Sequence, residues 1–252
     1  MYRLVQTSSI DQNAETPAEL MQLIMQTFQL TWDPCPPNYT VDGLTRQWVP
    51  GAFVNPPFKE SKQWLHKAQS EKTYAVFLLP LVKLHCQFME TIWSSIDGIS
   101  LLPRLIKFKN YKKPLNKAMT LLSMNCPVVP ITPITCYAYC WLGLVNRTMA
   151  GLVEELKGHD VTIVQDHPSQ SLPYLLQKKQ FIIIMPSRLD LLVLRKNLHV
   201  LSEIFFCPTV KAHHADKDNL WIPPIVITKG IQIASQLRGL HEHKIPVRIL
   251  QW

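Results

Sequence analysis

Gly51-Ala52-Phe53-Val54-Asn55-Pro56-Pro57-Phe58 is the stretch on which the reading of the fold turns. Its apolar run reads as a buried strand, and the two prolines end it abruptly. A side-chain amide, a stiff turn and an aromatic ring are thereby clustered at a strand's carboxyl end, where open α/β sheets place their ligands. The Asn55 amide oxygen and the Pro56 carbonyl are both acceptors, suited to an exocyclic amino group, and Phe58 offers a ring on which a base can lie. That set suits an amino-methyltransferase acting on a base taken out of its stack. The same four residues also read as a plain strand-ending turn, in a chain with 20 prolines.

What flanks the stretch sharpens the reading. Upstream lie Glu15-Thr16-Pro17-Ala18-Glu19-Leu20, then Phe28-Gln29-Leu30-Thr31-Trp32-Asp33-Pro34-Cys35, then Asp42-Gly43-Leu44 and Trp48. Downstream come Trp64-Leu65-His66-Lys67-Ala68, Ala75-Val76-Phe77-Leu78-Leu79-Pro80, and Leu101-Leu102-Pro103-Arg104-Leu105-Ile106-Lys107-Phe108. In this order, over residues 14–125, the series resembles the phage-type Dam family of DNA adenine-N6 methyltransferases, whose relatives also occur in viruses and mobile elements. The resemblance implies an α/β fold, a Rossmann-like methyltransferase sheet with helices on both faces. It implies S-adenosylmethionine as methyl donor and DNA as partner. It places the catalytic clamp at Asn55, Pro56, Pro57 and Phe58, and the cofactor pocket at Thr16, Pro17, Asp33, Pro34 and Cys35. Asn at the first clamp position leaves adenine N6 and cytosine N4 both open. The chain lacks a Phe-x-Gly-x-Gly turn, which leaves an inactive DNA-binding or assembly module as the competing reading and RNA as a further substrate class.

Composition sets the bounds. A chain of 252 residues, 47% hydrophobic and 17% charged, can bury a substantial core. A net charge of +8 favours a polyanionic partner. Lys107, Lys109, Lys112, Lys113 and Lys117 fall close together with Phe108 and Tyr111 between them, and a hairpin bearing them would grip DNA phosphates. The six cysteines are scattered without a zinc spacing, and they read as reduced thiols of an intracellular protein, in the cytoplasm or nucleus of a host cell and not secreted. His213-His214 and His241-Glu242-His243 have no helical spacing and no third ligand, so no metal is expected. Ser187 has no base partner, and the triplets at Asn38 and Asn146 read as chance matches to the glycosylation pattern. The segment 118–145 carries no formal charge, but prolines at 127, 130 and 133 interrupt it. Two buried strands with a proline-rich connector are expected there, and no membrane span.

Periodicity predicts a loose arm over 1–14, a helix over 17–29 with Thr16 as cap and Pro17 in its first turn, and a strand over 30–32. Helices follow over 59–70 and 84–96, strands over 74–79, 99–102, 105–108 and 119–124. The second half runs strand 161–164, helix 172–178, strand 181–185, helix 189–198, then strands 204–208 and 222–227. Segments of the two halves correspond: AVFLLP with FIIIMP, ISLLPRLIKF with EIFFCPTVKA, AMTLLSM with WIPPIVI. One reading is a duplicated unit, a methyltransferase-like domain over 15–148 and a degenerate second half over 149–252, with Gln165-Asp166-His167-Pro168 in place of the clamp. That duplication aligns Val164 with Val54 and Met185 with Leu79. The other reading is the alternation that any α/β chain shows.

Overall fold

The computed structural model describes residues 14–37, 42–115, 117–127, 132–141, 147–164, 168–186, 196–208, 210, 224–251. The expectations for the arm at 1–14 up to its last residue, the helix at 189–198 up to residue 195, Ser187, the His213 pair, Asn38, Asn146 and most of the 165–168 tetrapeptide lie outside these residues.

One ten-stranded mixed sheet runs through the molecule. Its strands are β1 (Ala52–Val54), β2 (Ala75–Pro80), β3 (Ile96–Leu101), β4 (Met119–Met124), β5 (Ile134–Cys140), β6 (Val161–Ile163), β7 (Phe181–Pro186), β8 (Glu203–Phe206), β9 (Pro224–Lys229) and β10 (Ile245–Ile249). The helices are α1 (Ala18–Thr27), α2 (Ser61–Ser70), α3 (Met89–Ile92), α4 (Met149–Glu155) and α5 (Pro168–Leu175). The spatial order is β1-β2-β4-β3-β10-β5-β8-β9-β7-β6.

That order is a palindrome. In the first half β1 is parallel to β2, while β4 runs antiparallel between β2 and β3. In the second, β6 is parallel to β7, while β9 runs antiparallel between β7 and β8. The fifth strand of each half leaves its own half: β5 lies parallel to β8, and β10 lies parallel to β3. The two exchanged strands meet antiparallel at the centre. The boundary expected between 148 and 149 therefore follows the chain but not the sheet.

Face alternation explains the layers. Ala75, Phe77 and Leu79 of β2 point to one face with Trp64, Leu65 and Ala68 of α2, while Val76 and Leu78 point to the other with Leu20 and Ile24 of α1. Phe181, Ile183 and Met185 of β7 share the first face with Leu172 and Leu175 of α5; Ile182 and Ile184 face Leu152 of α4. Helices thus cover both faces in each half. The continuous apolar runs of β2 and β7 are what burial on both faces requires.

The ladders place Met185 where Leu79 stands, each just before a strand-ending proline. Val54 pairs with Phe77 and Thr162 with Ile183, so Thr162, not Val164, stands at the level of Val54. A two-residue offset leaves the same face toward the core.

Several expected elements differ. The helix expected over 84–96 is broken into a 3-10 turn at Leu81–His85, α3, and a second 3-10 turn at Trp93–Ser95, with Cys86 extended between them. The strand expected over 105–108 does not form. Ile106, Phe108 and Leu115 alternate like a strand but are plugs, anchoring the loop 102–118 in the α1-side core. The lysines of this loop are therefore not on a hairpin. At 30–32 only a single parallel bridge, Trp32 to Ala52, forms. Thr16 caps nothing: the cap position of α1 is Pro17, without a side-chain bond.

Candidate active site at the end of the first strand

β1 ends at Val54, and the chain turns through Asn55 to Pro57, whose carbonyl accepts from Glu60 N at 2.9 Å just before α2. The Asn55 side chain reaches back to the segment entering α1. Its Nδ2 donates to Ala14 O at 2.6 Å and to Thr16 Oγ1 at 3.2 Å. A carbonyl can only accept, so the contact with Ala14 fixes which end of the amide is nitrogen. The amide oxygen is left without a donor among the described residues, pointing away from that anchor. Ala14, which the expected arm includes, is thus a structural element of the site.

Beside this amide lies a cavity of about 530 Å³, lined by residues that include Thr16, Asp33, Cys35, Asn55, Pro57 and Glu60. Its size falls within the range of small-molecule sites. The bridge of Trp32 to Ala52 brings Asp33 and Cys35 to the end of β1, because a parallel neighbour ends at the same edge. Of the residues named from sequence, Thr16, Asp33, Cys35, Asn55, Pro57 and Lys109 line the cavity. Pro17, Pro34, Pro56 and Phe58 do not. Phe58 is half-buried against the cluster that holds Phe53 and α1, so the stacking surface expected of it is spent on the core.

Asp33 accepts a hydrogen bond from Cys35 N at 2.7 Å. Burial pushes its carboxyl up to about 6, with that bond partly offsetting the shift. Burial and the neighbouring carboxylates push the Cys35 thiol up to about 12, which leaves it a neutral wall residue rather than a nucleophile. Glu15, Asp33 and Glu60 bring three carboxylates to the cavity against one ammonium, that of Lys109, which is paired with Glu15. The field inside favours a cationic ligand.

The loop 102–118 is tied to the rim. Lys109 N donates to Glu15 O at 3.0 Å and Glu15 N to Asn110 Oδ1 at 3.0 Å. Lys107, Lys112 and Lys113 are exposed on it, while Lys117 is half-buried at its far end.

Among the lining positions missed from sequence are Ala18, Met21 and Gln22. Their i, i+3, i+4 spacing puts them on one face of α1, the signal by which they could be found. Glu60 was missed because nothing in the sequence marks the turn before α2 as part of the wall.

Elsewhere, His243 is a structural residue. Its ring nitrogen meets Ile96 O at 2.7 Å, and its own carbonyl accepts from the Trp93 indole at 2.9 Å. Among the described residues no three His, Cys, Asp or Glu side chains are placed to hold a metal ion, and no helix is long and apolar enough to cross a membrane. None of the six cysteines is in a disulfide.

No family model, no curated protein and no solved structure matches this chain.

Proposed function

We propose that the protein transfers a methyl group from S-adenosylmethionine to the exocyclic amino group of a base flipped out of DNA, with adenine N6 favoured. The observation that carries the reading is the cavity that joins Thr16, Asp33 and Asn55 at the carboxyl end of β1. When bound, S-adenosylmethionine supplies an electrophilic methyl on a sulfonium. The acidic lining of Glu15, Asp33 and Glu60 suits that fixed cation and the ammonium of its amino-acid end.

Asn55 does the orienting. Ala14 and Thr16 hold its amide nitrogen, so its oxygen is free to accept a hydrogen bond from the base amino group. An acceptor there draws the amino nitrogen toward tetrahedral geometry and localises its lone pair. With S-adenosylmethionine held by the acidic lining, its methyl would pass from sulfur to that lone pair, and the amino proton would leave to solvent. No base of shifted pKa is needed, because positioning and electrostatics carry the step. The exposed lysines of the loop at the rim suit the phosphates of a polyanion.

Methyl incorporation into unmodified DNA, compared with Asn55→Ala, tests the reading. The variant is expected to lose at least about a hundredfold, the scale for removing one preorganised polar partner. Equal incorporation by both proteins would sink the assignment.

One observation favours a second reading, a catalytically inactive DNA-binding or assembly module. The half-buried Phe58 ring packs against the core and is not part of the cavity lining. Calorimetry separates the two. Micromolar binding of S-adenosylmethionine supports the enzyme; no binding, with DNA affinity retained, supports the module.

A further inference from the structure

The ends of β2 and β4 bring together two lysines from different loops. Pro80 pairs with Met119, and beyond that pair Leu81 N donates to Ala118 O at 2.9 Å. Lys117 precedes this tie directly, and Lys83 follows it within the tight turn Leu81–His85. Both side chains are half-buried. Lys67, Lys109 and Lys157 each hold a carboxylate; neither Lys83 nor Lys117 does so among the described residues.

The Lys83 charge bears on Lys117. Burial, and then the Lys83 charge, hold the Lys117 ammonium below the ordinary lysine range. Two half-buried like charges without a counter-charge destabilise a protein that holds nothing between them. An anion placed there converts the repulsion into two charge-assisted contacts. The position suits the site already described. β4 lies two strands from β1 and Val54 pairs with Phe77, so the pair stands about 10 Å across the sheet from Asn55 and about 7 Å or more beyond it along the strands.

We propose that Lys83 and Lys117 together bind one phosphate group, a backbone phosphodiester of the nucleic-acid substrate, beside the Asn55 cavity. This rests on the nucleic-acid reading above and adds to it a fixed contact, distinct from the exposed lysines 107, 112 and 113. A phosphate bridging two ammonium groups sets the register of the backbone along the edge of the sheet, which surface lysines on a loop do not.

The test is anisotropy of a labelled single-stranded oligonucleotide with the full-length protein across a salt series, without methyl donor. Lys83→Gln/Lys117→Gln is expected to weaken binding and to make the slope of log affinity against log salt shallower by about 0.7, the share of one single-strand phosphate. Lys83→Arg/Lys117→Arg should restore both. A slope loss of about 1.4 means two separate phosphates and overturns the shared site. Unchanged affinity and slope overturn it as well. Inorganic phosphate that binds the wild type as tightly as the oligonucleotide, and is lost in the Gln pair, assigns the site to free phosphate and overturns the backbone contact. The Gln pair should unfold at or above the wild-type temperature, since it removes a repulsion. If it does not fold, Lys117→Gln alone carries the test: it should weaken binding with little change of slope, since Lys83 still meets the phosphate, and unchanged affinity overturns the site. Wild-type protein that binds no oligonucleotide sinks the nucleic-acid reading itself; a Gln pair that matches a binding wild type sinks this site alone.

Discussion

The two halves of the sheet share a topology and differ at the end of their first strand. β1 is buried throughout and is flanked by the Trp32 bridge, behind which Trp32, Trp48, Trp64 and Phe77 stack edge to face and tilted. β6 stands at the opposite edge with its residues half-buried or exposed, Ile163 at 40%. The difference teaches that the ladder does not make the site. A strand, a helix and a proline-ended strand recur in both halves. The cavity needs in addition the segment 14–16 and the segment 30–37, which wrap the first half's edge.

The exchange of β5 and β10 makes the halves one folding unit, and the largest expected effect follows from it. Removal of residues 244–252 deletes β10, which is a central strand despite its place near the end of the sequence. The truncated chain is expected to lose its cooperative thermal transition, because β3 and β5 both lose a full partner. A truncated protein that melts as two half-sized transitions would break the single-unit account.

Substitution within each core comes next. Trp64→Ala in the first half should cost about 3–5 kcal/mol and Ile183→Ala in the second about 2–5 kcal/mol, since both are fully buried. In urea, each should shift one common transition. A shift confined to part of the unfolding curve would show that the halves unfold separately.

How far the sequence revealed this architecture depends on the type of strand. β2 and β7 were legible because burial on both faces demands an unbroken apolar run, and AVFLLP and FIIIMP supply one; β4, MTLLSM, buries Thr120 and Ser123 only by donating their hydroxyls to Ser100 O and Gly98 O. β10 was not legible. Its sequence IPVRI puts Pro246 and Arg248 into a central strand, against the usual reading of both residue types. The fold tolerates them through local devices. The ladder with β5 shifts register between Val247 and Arg248, and Arg248 Nε donates to Thr132 O at 3.1 Å. The plugs Ile106 and Phe108 misled in the opposite direction, since period-two burial arises from a loop pressed on a core as well as from a strand. At the site, Thr16, Asp33 and Asn55 were legible as an ordered series. The sequestration of Phe58 was not, because which way an aromatic ring turns after a Pro-Pro pair is set by tertiary packing.

Two glycines sharpen the comparison at a smaller scale. A Cβ at Gly43 would run into Pro34 O and come within 2.8 Å of the Trp64 ring, so Gly43→Ala should cost about 1–3 kcal/mol by overpacking. Because Pro34 sits between Asp33 and Cys35, the same change should weaken ligand binding in the cavity. Gly158, between α4 and β6, has φ +100° and nothing near its Cβ position. Gly158→Ala should cost about 1 kcal/mol through backbone strain alone and leave the cavity untouched. Urea denaturation with parallel S-adenosylmethionine titrations distinguishes the two.

The smallest effect is electrostatic and again opposes the halves. Asp33 and Glu203 are both carboxylates that burial pushes upward, and each accepts a backbone N–H, from Cys35 and from Ile233 at 2.7 Å. Of the two, Asp33 lines the cavity. Its pKa rises from 3.8 unfolded to about 6 folded, so the folded state binds more protons between those values. The contribution is fully favourable below pH 4 and is lost as pH rises through 6. Asp33→Asn removes the penalty, and should stabilise the protein at pH 8 by about 1–2 kcal/mol, allowing for solvent in the cavity, with the gain vanishing by pH 4. A cationic ligand reverses the balance, because the ionised carboxylate then has a partner. S-adenosylmethionine should therefore raise the wild-type melting temperature more at pH 8 than at pH 5. Asp33→Asn should abolish that pH dependence, while Glu203→Gln should leave it intact. A ligand-induced shift that is the same at both pH values in the wild type would show that Asp33 does not meet the ligand's charge.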